Sequence, residues 1–549
     1  MPWNALAAIS LGTMTYLAVP ISAEDVDGAR RQIGDALAAG AEMLELRTDY
    51  LTHVSRDSVT ALIAEVRAAS RTHTPVIVTC RDVREGAAKN HPRSLRIEVL
   101  LAAIEAGADL VDLEYVNFIQ PDCGQQVLKA LARRPASRLI LSAHDFEGRF
   151  PDLPELHREI VRACSEAIPK LVYTAYHICD CFDAFDLLHE TAGDRIVLCM
   201  GQAGLISRVL GKKLGSFVTF ASLDEQAGTA PGQLTVGTLK ELYRHGAIDA
   251  DTELFGVIAD PVAHSMSPAI HNGCFAHEQM NRLYLPLLVQ GGREGFNRFF
   301  DGVLARPWLG LLGFSVTIPH KHSALKYVRE QGGFVEPLAE KIGAANTVIV
   351  ARASSPSRHG QDGRATNDER PLAAYNTDYA GALDAITAGM GIEREDLRGV
   401  PVAIVGAGGV SRAIVAGLSD LGARITIYNR TVERAKSLAA EFNCEATGLD
   451  DLPHLDAKLL INGTSIGMHP NVDATPVPVE YLRPGMAVFD TVYNPAETLL
   501  LKQAKEEGAR TIDGLAMFVN QAAAQFHLFT DQPANTDLMR KVVLDSLGC

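Results

Sequence analysis

The stretch Val402–Leu418, VAIVGAGGVSRAIVAGL, decides the fold of the second half of the chain. Its apolar start predicts a buried strand, its glycines predict a tight turn, and the spacing of the apolar residues that follow predicts a helix. Glycines between a strand and a helix let backbone N–H groups approach a pyrophosphate at the helix N-terminus. The spacing G-x-G-G is not the commonest nucleotide-binding pattern, so a plain turn is the alternative at this point.

The next apolar run, RITIY, ends directly before Asn429, Arg430 and Thr431. An NAD enzyme commonly has an acidic residue at this place for the ribose hydroxyls, whereas a cation and hydrogen-bonding side chains suit a 2′-phosphate. We therefore expect NADP(H) rather than NAD. The expected cofactor-binding residues are Gly406, Ala407, Gly408, Gly409, Asn429, Arg430 and Thr431.

Upstream, a polar break with the sequence RHGAIDADTE precedes a new apolar run, which predicts a domain boundary near residue 248. Residues 351–374 are rich in Ser, Gly, Asp and Arg, and we expect a mobile surface loop there without a binding role. At 549 residues the chain is too long for one core. The expected domains are residues 1–247, residues 248–390 completed by helices at about 515–549, and residues 391–514 as a Rossmann-like nucleotide domain.

The first half contains eight apolar runs separated by amphipathic, helix-like segments. They are TYLAVP, EMLELR, PVIVTC, DLVDLE, RLILSA, KLVYTA, RIVLCM and SFVTF. Eight strand–helix units in this length indicate a (β/α)₈ (TIM) barrel, in which the active site lies at the carboxyl ends of the strands. Charged side chains cluster at several run ends: Glu45, Arg47, Arg81, Glu114 and His144.

Composition excludes several classes of protein. The formal net charge of −15 gives no positive field for nucleic acid, so an anionic substrate needs local arginines. Nine cysteines without a C-x-x-C pair predict reduced thiols and no metal site. The chain has no apolar run of membrane-spanning length, and its opening has no basic residue before the apolar part. We therefore expect a cytoplasmic protein, and the oligomeric state is open.

Lys170 stands at the head of an apolar and aromatic run in EAIPKLVYTAYHICD. One interpretation is that its ammonium reaches water along an apolar stem. The other is that apolar surroundings lower its pKa, so that the neutral amine attacks a carbonyl. Because side chains alternate along a strand, Lys170 would share a face with Val172 and Thr174, and it would point into the barrel from deep in the strand.

Five ordered motifs resemble type I 3-dehydroquinate dehydratases: EMLELRTDYL, VTCRDVREGA, LSAHDF, PKLVYTAY and GLISRVLGKKLGSFVTFASLDEQAGTAPGQLTV. The resemblance implies that Lys170 forms a Schiff base with the ketone of dehydroquinate, that His144 moves protons and that Glu114 orients the histidine. It implies that Arg208 binds the substrate carboxylate. Further implied contacts to the ring hydroxyls and the carboxylate are Glu45, Arg47, Arg81, Thr229 and Gln233, with Thr229 at a position where other members often carry serine.

The second half resembles shikimate dehydrogenases over residues 254–549. The motifs are GVIADPVAHSMSPAIHN, GFSVTIPHK, IGAANTV, YNTDYAGA, INGTSIGM, DTVYNP and DGLAMFVNQAAAQF. The resemblance implies that Lys321 and Asp378 carry the proton transfer that accompanies hydride transfer. Implied substrate contacts are Ser265, Ser267, Thr317, Asn346, Tyr493, Gln521 and Gln525, and implied cofactor contacts are Thr464, Met468 and Gly514.

Structural alternatives exist for these residues: Ser267 and Asp378 could cap helices, and Lys321 could lie on a helix surface. The family commonly has asparagine where this chain has Ser315. Together the halves predict a bifunctional enzyme that dehydrates 3-dehydroquinate and reduces the product to shikimate with NADPH. One alternative is a catabolic quinate or shikimate oxidoreductase; another, a regulator without activity, is disfavoured because Lys170, His144, Lys321 and Asp378 are all present.

Overall fold

The structure is a computed structural model that describes residues 15–70, 73–224, 228–263, 265–350 and 372–547. It contains two compact units. The first runs to Thr252 and includes Leu287–Gln290 and Arg298–Ala305, and the remaining chain forms the second. The N-terminal extension and residues 351–371 of the predicted loop lie outside the described residues.

All eight predicted strands of the first unit are present and parallel. They are β1 (Tyr16–Ile21), β2 (Met43–Arg47), β3 (Val76–Thr79), β4 (Leu110–Glu114), β5 (Arg138–Asp145), β6 (Ile168–Thr174), β7 (Ile196–Met200) and β8 (Val218–Phe220). The hydrogen-bonded order is β7-β6-β5-β4-β3-β2-β1-β8. The Phe217 N–H donates to the Arg195 carbonyl at 2.8 Å, which brings the two ends of the sheet together. The predicted barrel is confirmed.

Helices follow the strands and cover the barrel, because each buries one apolar side against the sheet. They are α1 (Val26–Ala38), α2 (Arg56–Ala69), α3 (Arg93–Glu105), α4 (Tyr115–Phe118), α5 (Pro121–Leu131), α6 (Leu153–Ala163), α7 (Cys181–Glu190) and α8 (Leu205–Val209). Short 3₁₀ turns include Thr48–Tyr50 and Val83–Glu85 at the carboxyl ends of β2 and β3.

The barrel interior changes from apolar to polar along the strands. One apolar layer contains Met43, Ile77, Leu110, Ile140 and Ile168. Two residues further along the same strands, on the same face, stand Glu45, Thr79, Asp112, Ser142 and Lys170, all buried. A polar layer therefore lies directly on an apolar floor, and it can persist only because its members bond one another.

The second unit begins with a mixed six-stranded sheet. Its strands are β9 (Glu253–Ala259), β10 (Arg282–Leu288), β11 (Leu311–Val316), β12 (Phe334–Val335), β13 (Thr347–Val350) and β14 (Leu372–Tyr375). The order is β10-β9-β11-β13-β14-β12. The predicted loop over residues 351–374 is wrong at its end, because Leu372–Ala374 pair antiparallel with β13 and Leu372 is buried.

A second sheet of this unit is entirely parallel. Its strands are β15 (Pro401–Val405), β16 (Arg424–Tyr428), β17 (Glu445–Thr447), β18 (Leu459–Asn462), β19 (Ala487–Asp490) and β20 (Arg510–Ile512). The order β17-β16-β15-β18-β19-β20 is that of a doubly wound nucleotide-binding sheet, in which the chain reverses direction beside its first strand. The predicted Rossmann-like fold is confirmed.

Ten α-helices belong to the described part of the second half. They are α9 (Ser267–His277), α10 (Gly292–Leu304), α11 (Lys321–Glu330), α12 (Pro337–Ile342), α13 (Thr377–Met390), α14 (Gly409–Asp420), α15 (Val432–Phe442), α16 (Leu499–Glu506), α17 (Gly514–Thr530) and α18 (Thr536–Leu547). In the described ranges of the chain, no helix has the length and apolar character needed to cross a membrane.

Candidate active sites

Lys170 lies in the polar layer of the barrel and is only 4% exposed. Its Nζ donates to Asp112 Oδ2 at 2.8 Å and lies 3.5 Å from Glu45 Oε1. It also lies 4.7 Å from the centre of the Phe220 ring. The interpretation in which the ammonium reaches water is therefore wrong, since the amine is held inside the barrel by two carboxylates and an aromatic face.

Asp112 organises this layer. Its carboxylate accepts two hydrogen bonds from the Arg81 guanidinium, at 2.9 and 2.8 Å, besides those from Lys170 and Ser142. Although burial opposes its charge, Arg81 and Lys170 hold the pKa of Asp112 far below its usual range. Asp112 is therefore a fixed anion that orients the amine of Lys170.

The predicted partner of His144 requires correction. His144 Nδ1 lies 3.0 Å from Glu85 Oε2, and the same oxygen accepts the His144 backbone N–H at 3.2 Å. Burial, together with Arg81 and Lys170 nearby, lowers the pKa of His144 well below its usual value, so its imidazole is neutral at pH 7. With Nδ1 donating to Glu85, Nε2 keeps a lone pair that can accept a proton.

Glu114 lies behind the site and bonds other groups. It accepts from Arg96 at 3.0 Å, from the Asn117 amide at 2.9 Å and from the Asp82 N–H at 2.8 Å. Arg96 also donates to the Asp82 carboxylate, which ties the segment after β3 to α3 and to the end of β4. Glu114 therefore anchors the segment that carries Arg81 and Glu85, and it does not orient His144.

Arg208 is 2% exposed, and no described residue accepts a hydrogen bond from its Nε. Burial lowers its pKa to about 10, so it is still a cation at pH 7, and no described carboxylate forms an ion pair with it. A buried guanidinium without a counter-ion is costly unless an anion binds it. This is the strongest indication in the barrel of an anionic ligand.

The remaining predicted residues surround the same cleft. The Arg47 guanidinium donates two hydrogen bonds to the Asp49 carboxylate, which hold it in place. Gln233 accepts the Thr229 N–H at 2.9 Å. The cleft encloses about 510 Å³, including space open to solvent. The predicted residues along it are Glu45, Arg47, Arg81, His144, Lys170, Arg208, Thr229 and Gln233, together with Glu85, which was not predicted. It is large enough for a small ring.

Substitution of Glu85 tests the protonation state of the hydrogen-bonded pair Glu85–His144. Burial raises the pKa of the Glu85 carboxyl to about 8, so it is mostly protonated at pH 7. Glu85→Gln copies the protonated form, and we expect it to keep dehydration within about threefold of wild type at pH 6–7 and to remove a bend near pH 8 from the pH–rate profile. Glu85→Ala, which frees the imidazole, should lose about tenfold or more. A bend that persists unchanged in Glu85→Gln would show that another group titrates there.

The second site contains a hydrogen-bonded lysine–aspartate pair. Lys321 Nζ donates to Asp378 Oδ2 at 2.6 Å, and the Asn346 amide donates to Asp378 Oδ1 at 2.9 Å. Lys321 is the first residue of α11, and Asp378 is the second residue of α13. The carboxylate thus has a fixed orientation, with one oxygen on the ammonium.

The capping alternatives are wrong at both positions. The cap of α13 is Asn376, whose side chain accepts the Asp378 N–H at 3.1 Å, so the Asp378 carboxylate is not used as a cap. Helix α9 has no side-chain cap, and Ser267 is its first residue.

Ser315 belongs to a buried chain of polar groups beneath the predicted substrate residues. It accepts the Tyr284 hydroxyl at 2.5 Å and donates to Gln525 Oε1 at 2.7 Å. The Gln525 amide nitrogen donates to the Asn346 carbonyl at 3.1 Å and to Thr347 Oγ1 at 3.0 Å. Because Gln525 is buried and both ends of its amide are used internally, the prediction that it contacts substrate is not supported. It supports Asn346 from below.

Other predicted substrate residues lie around this chain. Ser265 Oγ accepts the Ser267 N–H at 3.3 Å. Tyr493 stacks on Phe518 with 4.4 Å between ring centres, and Gln521 donates to the Phe518 carbonyl at 3.0 Å. Thr317 follows β11 and is half-buried.

The predicted nucleotide turn fits a pyrophosphate. Gly406 has φ = 110°, which favours glycine, and a Cβ there would lie 2.8 Å from Thr464 Cγ2. Apart from the adjoining residues and the backbone of the same helix, no described atom lies within 4 Å of a Cβ built on Gly408 or Gly409. Helix α14 starts at Gly409 without a side-chain cap, so no capping side chain competes with an anion for its first N–H groups.

The other predicted cofactor residues are placed around this turn. Arg430 and Thr431 are exposed directly after β16, and the Asn429 amide donates to the Thr431 carbonyl at 2.8 Å. Thr464 is fixed by Asn462, Met468 is 45% exposed, and Gly514 begins α17. A Cβ on Gly514 would lie 2.5 Å from the Val492 carbonyl oxygen, which explains the glycine.

Two acidic residues of the barrel were missed for different reasons. Asp112 follows Leu110 by two residues in DLVDLE, so strand alternation already placed it inside the barrel. Glu85 lies in a 3₁₀ turn after β3, where the sequence has no periodicity that would orient a side chain. Only the fold brings it to His144.

Both halves of the chain match families of known proteins. The family described as type I 3-dehydroquinase matches residues 17–249. The second half matches three descriptions: shikimate dehydrogenase substrate binding domain at 257–348, shikimate/quinate 5-dehydrogenase at 391–469, and shikimate 5′-dehydrogenase C-terminal domain at 514–544.

Individual relatives are similar to the whole chain or to its second half. The chloroplastic bifunctional 3-dehydroquinate dehydratase/shikimate dehydrogenase of Arabidopsis thaliana is 33% identical, covering 96% of this chain and 84% of that protein. The NADP⁺ shikimate dehydrogenase of Methanosarcina acetivorans is 40% identical over 54% of this chain and 98% of that protein. A solved structure of dehydroquinate dehydratase and shikimate dehydrogenase from S. pombe covers 97% of this chain and 99% of that chain, with 24% identity and a TM-score of 0.42.

Proposed function

Because this chain belongs to the family of bifunctional 3-dehydroquinate dehydratase/shikimate dehydrogenases, we propose that its two sites catalyse consecutive reactions of shikimate biosynthesis. The barrel converts 3-dehydroquinate to 3-dehydroshikimate, and the second unit reduces 3-dehydroshikimate to shikimate with NADPH. The observation that carries the proposal is the buried amine of Lys170 in one cleft with the uncompensated cation of Arg208.

In the barrel, Lys170 attacks the substrate ketone, and loss of water from the adduct gives an imine. Glu45 lies 3.5 Å from the amine and can take the proton that it must lose, while Asp112 remains an anion that orients the amine. The protonated imine draws electrons from the adjacent C–H bond and so acidifies it. His144 Nε2 accepts that proton and then returns it to the departing hydroxide. Water then hydrolyses the imine, which restores the ketone of the product and frees the Lys170 amine. Arg208 holds the substrate carboxylate by bidentate hydrogen bonds.

In the second site, Lys321 donates the proton that the ketone oxygen needs as it becomes an alcohol. Asp378 accepts a hydrogen bond from the ammonium and directs it, and Asn346 fixes Asp378. The Ser265, Ser267, Thr317 and Tyr493 side chains bind the substrate carboxylate and hydroxyls. Such hydrogen bonds discriminate strongly against analogues that lack a hydroxyl.

NADPH supplies the hydride when bound. The first N–H groups of α14 would hold its pyrophosphate, and Arg430 with Thr431 would hold the 2′-phosphate. Arg430 is suited to this because no described residue forms an ion pair with it.

The three sheets support the division into residues 1–247, 248–390 with 515–549, and 391–514 as the dehydratase, substrate and nucleotide domains. The eight described cysteines are recorded as thiols, which suits a reducing compartment such as the cytoplasm. Fluorescence microscopy of the tagged full chain in its own cell tests the location.

The coupled reaction tests the whole proposal in one tube. We expect the protein, given 3-dehydroquinate and NADPH, to oxidise NADPH and release shikimate, because only the barrel product is a substrate for the second site. NADH should be consumed much more slowly. If only quinate or shikimate supports nucleotide turnover and dehydroquinate is not dehydrated, the catabolic alternative replaces the proposal.

A further inference from the structure

A carboxylate lies behind the helix end that carries Asp378. Glu336 directly precedes α12, and its Oε2 accepts the backbone N–H of Asn376 at 2.9 Å, while its Oε1 accepts the Tyr379 hydroxyl at 2.9 Å. We propose that Glu336 is a positioning residue of the dehydrogenase, which fixes the first turn of α13 so that Asp378 meets Lys321. This inference depends on the proposed role of the Lys321–Asp378 pair.

The two hydrogen bonds of Glu336 lie on either side of Asp378 in the sequence. Asn376 is itself the helix cap, since its side chain accepts the Asp378 N–H at 3.1 Å and donates to the Ala344 carbonyl at 3.0 Å. A backbone held at residue 376 and a side chain held at residue 379 leave the intervening turn little freedom to rotate.

The other end of the segment that begins at Glu336 contacts the Lys321–Asp378 pair. Asn346 donates to Asp378 Oδ1 at 2.9 Å, and the Ala345 N–H donates to the Lys321 carbonyl at 3.0 Å. One stretch of eleven residues, 336–346, therefore holds the helix that carries Asp378, the Asp378 carboxylate and the first residue of α11. Loosening its Glu336 end should displace the carboxylate relative to the ammonium.

The contacts of Glu336 are directional hydrogen bonds rather than ion pairs, because both partners are neutral donors. Burial, and next the Glu336 carboxylate, raise the pKa of Tyr379, so its hydroxyl remains a donor. Glutamine has nearly the same shape without the charge. Glutamine can accept the Asn376 N–H through its oxygen and donate to the Tyr379 oxygen through its nitrogen.

The test compares Glu336→Ala and Glu336→Gln with Glu340→Ala. Glu340 is an exposed carboxylate on α12, the helix that follows Glu336, and it pairs with Arg329. Dehydration of 3-dehydroquinate by the same chain reports the amount of folded enzyme. We expect Glu336→Ala to lower kcat for dehydroshikimate reduction by about 10- to 100-fold with little change in the KM for NADPH. Its isotope effect with NADPH deuterated at the transferred position should rise, since the chemical step becomes slower. Glu336→Gln should recover most of kcat, and Glu340→Ala should match wild type.

Four results would overturn the inference: an unchanged kcat in Glu336→Ala, a loss without a larger isotope effect, a loss confined to KM for NADPH, or equal loss in Glu336→Gln. If Glu336→Ala does not fold, Tyr379→Phe removes one of the two contacts, and it must then show a smaller fall in kcat with the same rise in isotope effect. Lys321→Ala separates the two proposals. Full activity in that variant contradicts the role of the pair itself, whereas its inactivity beside a normal Glu336→Ala contradicts only the role of Glu336.

Discussion

Replacing Lys170 by alanine is expected to lower dehydration of 3-dehydroquinate by on the order of 10⁴-fold or more, the scale seen when other enzymes lose a covalent nucleophile. Without the amine no imine forms, and the C–H bond beside the ketone keeps its low acidity. Reduction of 3-dehydroshikimate by the same variant should proceed at the wild-type rate, because the second site has its own residues. Both rates are measured on one preparation with the two substrates supplied separately.

Borohydride trapping gives this prediction a readout that does not depend on rate. Reduction of an imine fixes the carbon skeleton of the ligand to Nζ, so intact-mass analysis of the wild type should show one covalent adduct. Lys170→Ala should show none, and Lys129→Ala, which removes an exposed lysine on α5, should behave as wild type. A Lys170→Ala protein that still dehydrates or still forms the adduct would assign the imine to another lysine.

The sequence indicated that Lys170 faces the interior of the barrel, but it did not show how deep in the barrel the side chain lies. Alternation placed Lys170 on an interior face, and the structure adds that the third residue of β6 lies in a polar layer just above Ile168. A buried ammonium in this layer is tolerated because Asp112 and Glu45 surround it. The identity of Asp112 was available from strand periodicity, but its partners come from β5, β6 and the segment after β3.

Residues on turns were predicted less well than those on strands. The carboxylate beside His144 was assigned to Glu114 from its place at a strand end, yet Glu114 is used by Arg96 and Asn117. The 3₁₀ turn Val83–Glu85 brings Glu85 over the barrel instead. Similarly, Glu336 is distant in sequence from Asn376, and no periodic pattern connects them. Such contacts depend on tertiary packing, which overrides local patterns.

Replacing Lys321 by alanine is the matching prediction for the second site. We expect reduction of 3-dehydroshikimate to fall by about 10²–10⁴-fold, the usual contribution of a general acid, because the forming alkoxide loses its proton donor. Asp378→Asn should cause a smaller loss, since the ammonium remains but its anionic partner does not.

Because the Lys321→Ala variant keeps its dehydratase site, dehydration by the same protein serves as an internal control for this prediction. Given 3-dehydroquinate and NADPH, Lys321→Ala should accumulate 3-dehydroshikimate, seen by its conjugated-enone absorbance, at the wild-type dehydration rate while NADPH persists. Lys326→Ala, an exposed lysine on the same helix, controls for loss of a charge from α11. Wild-type NADPH oxidation by Lys321→Ala would mean that water or another group protonates the alkoxide, and the lysine–aspartate pair would then serve only to shape the site. Binding of NADPH to the variant, followed by nucleotide fluorescence, should be unchanged, because the predicted pyrophosphate and 2′-phosphate contacts come from α14 and the segment after β16.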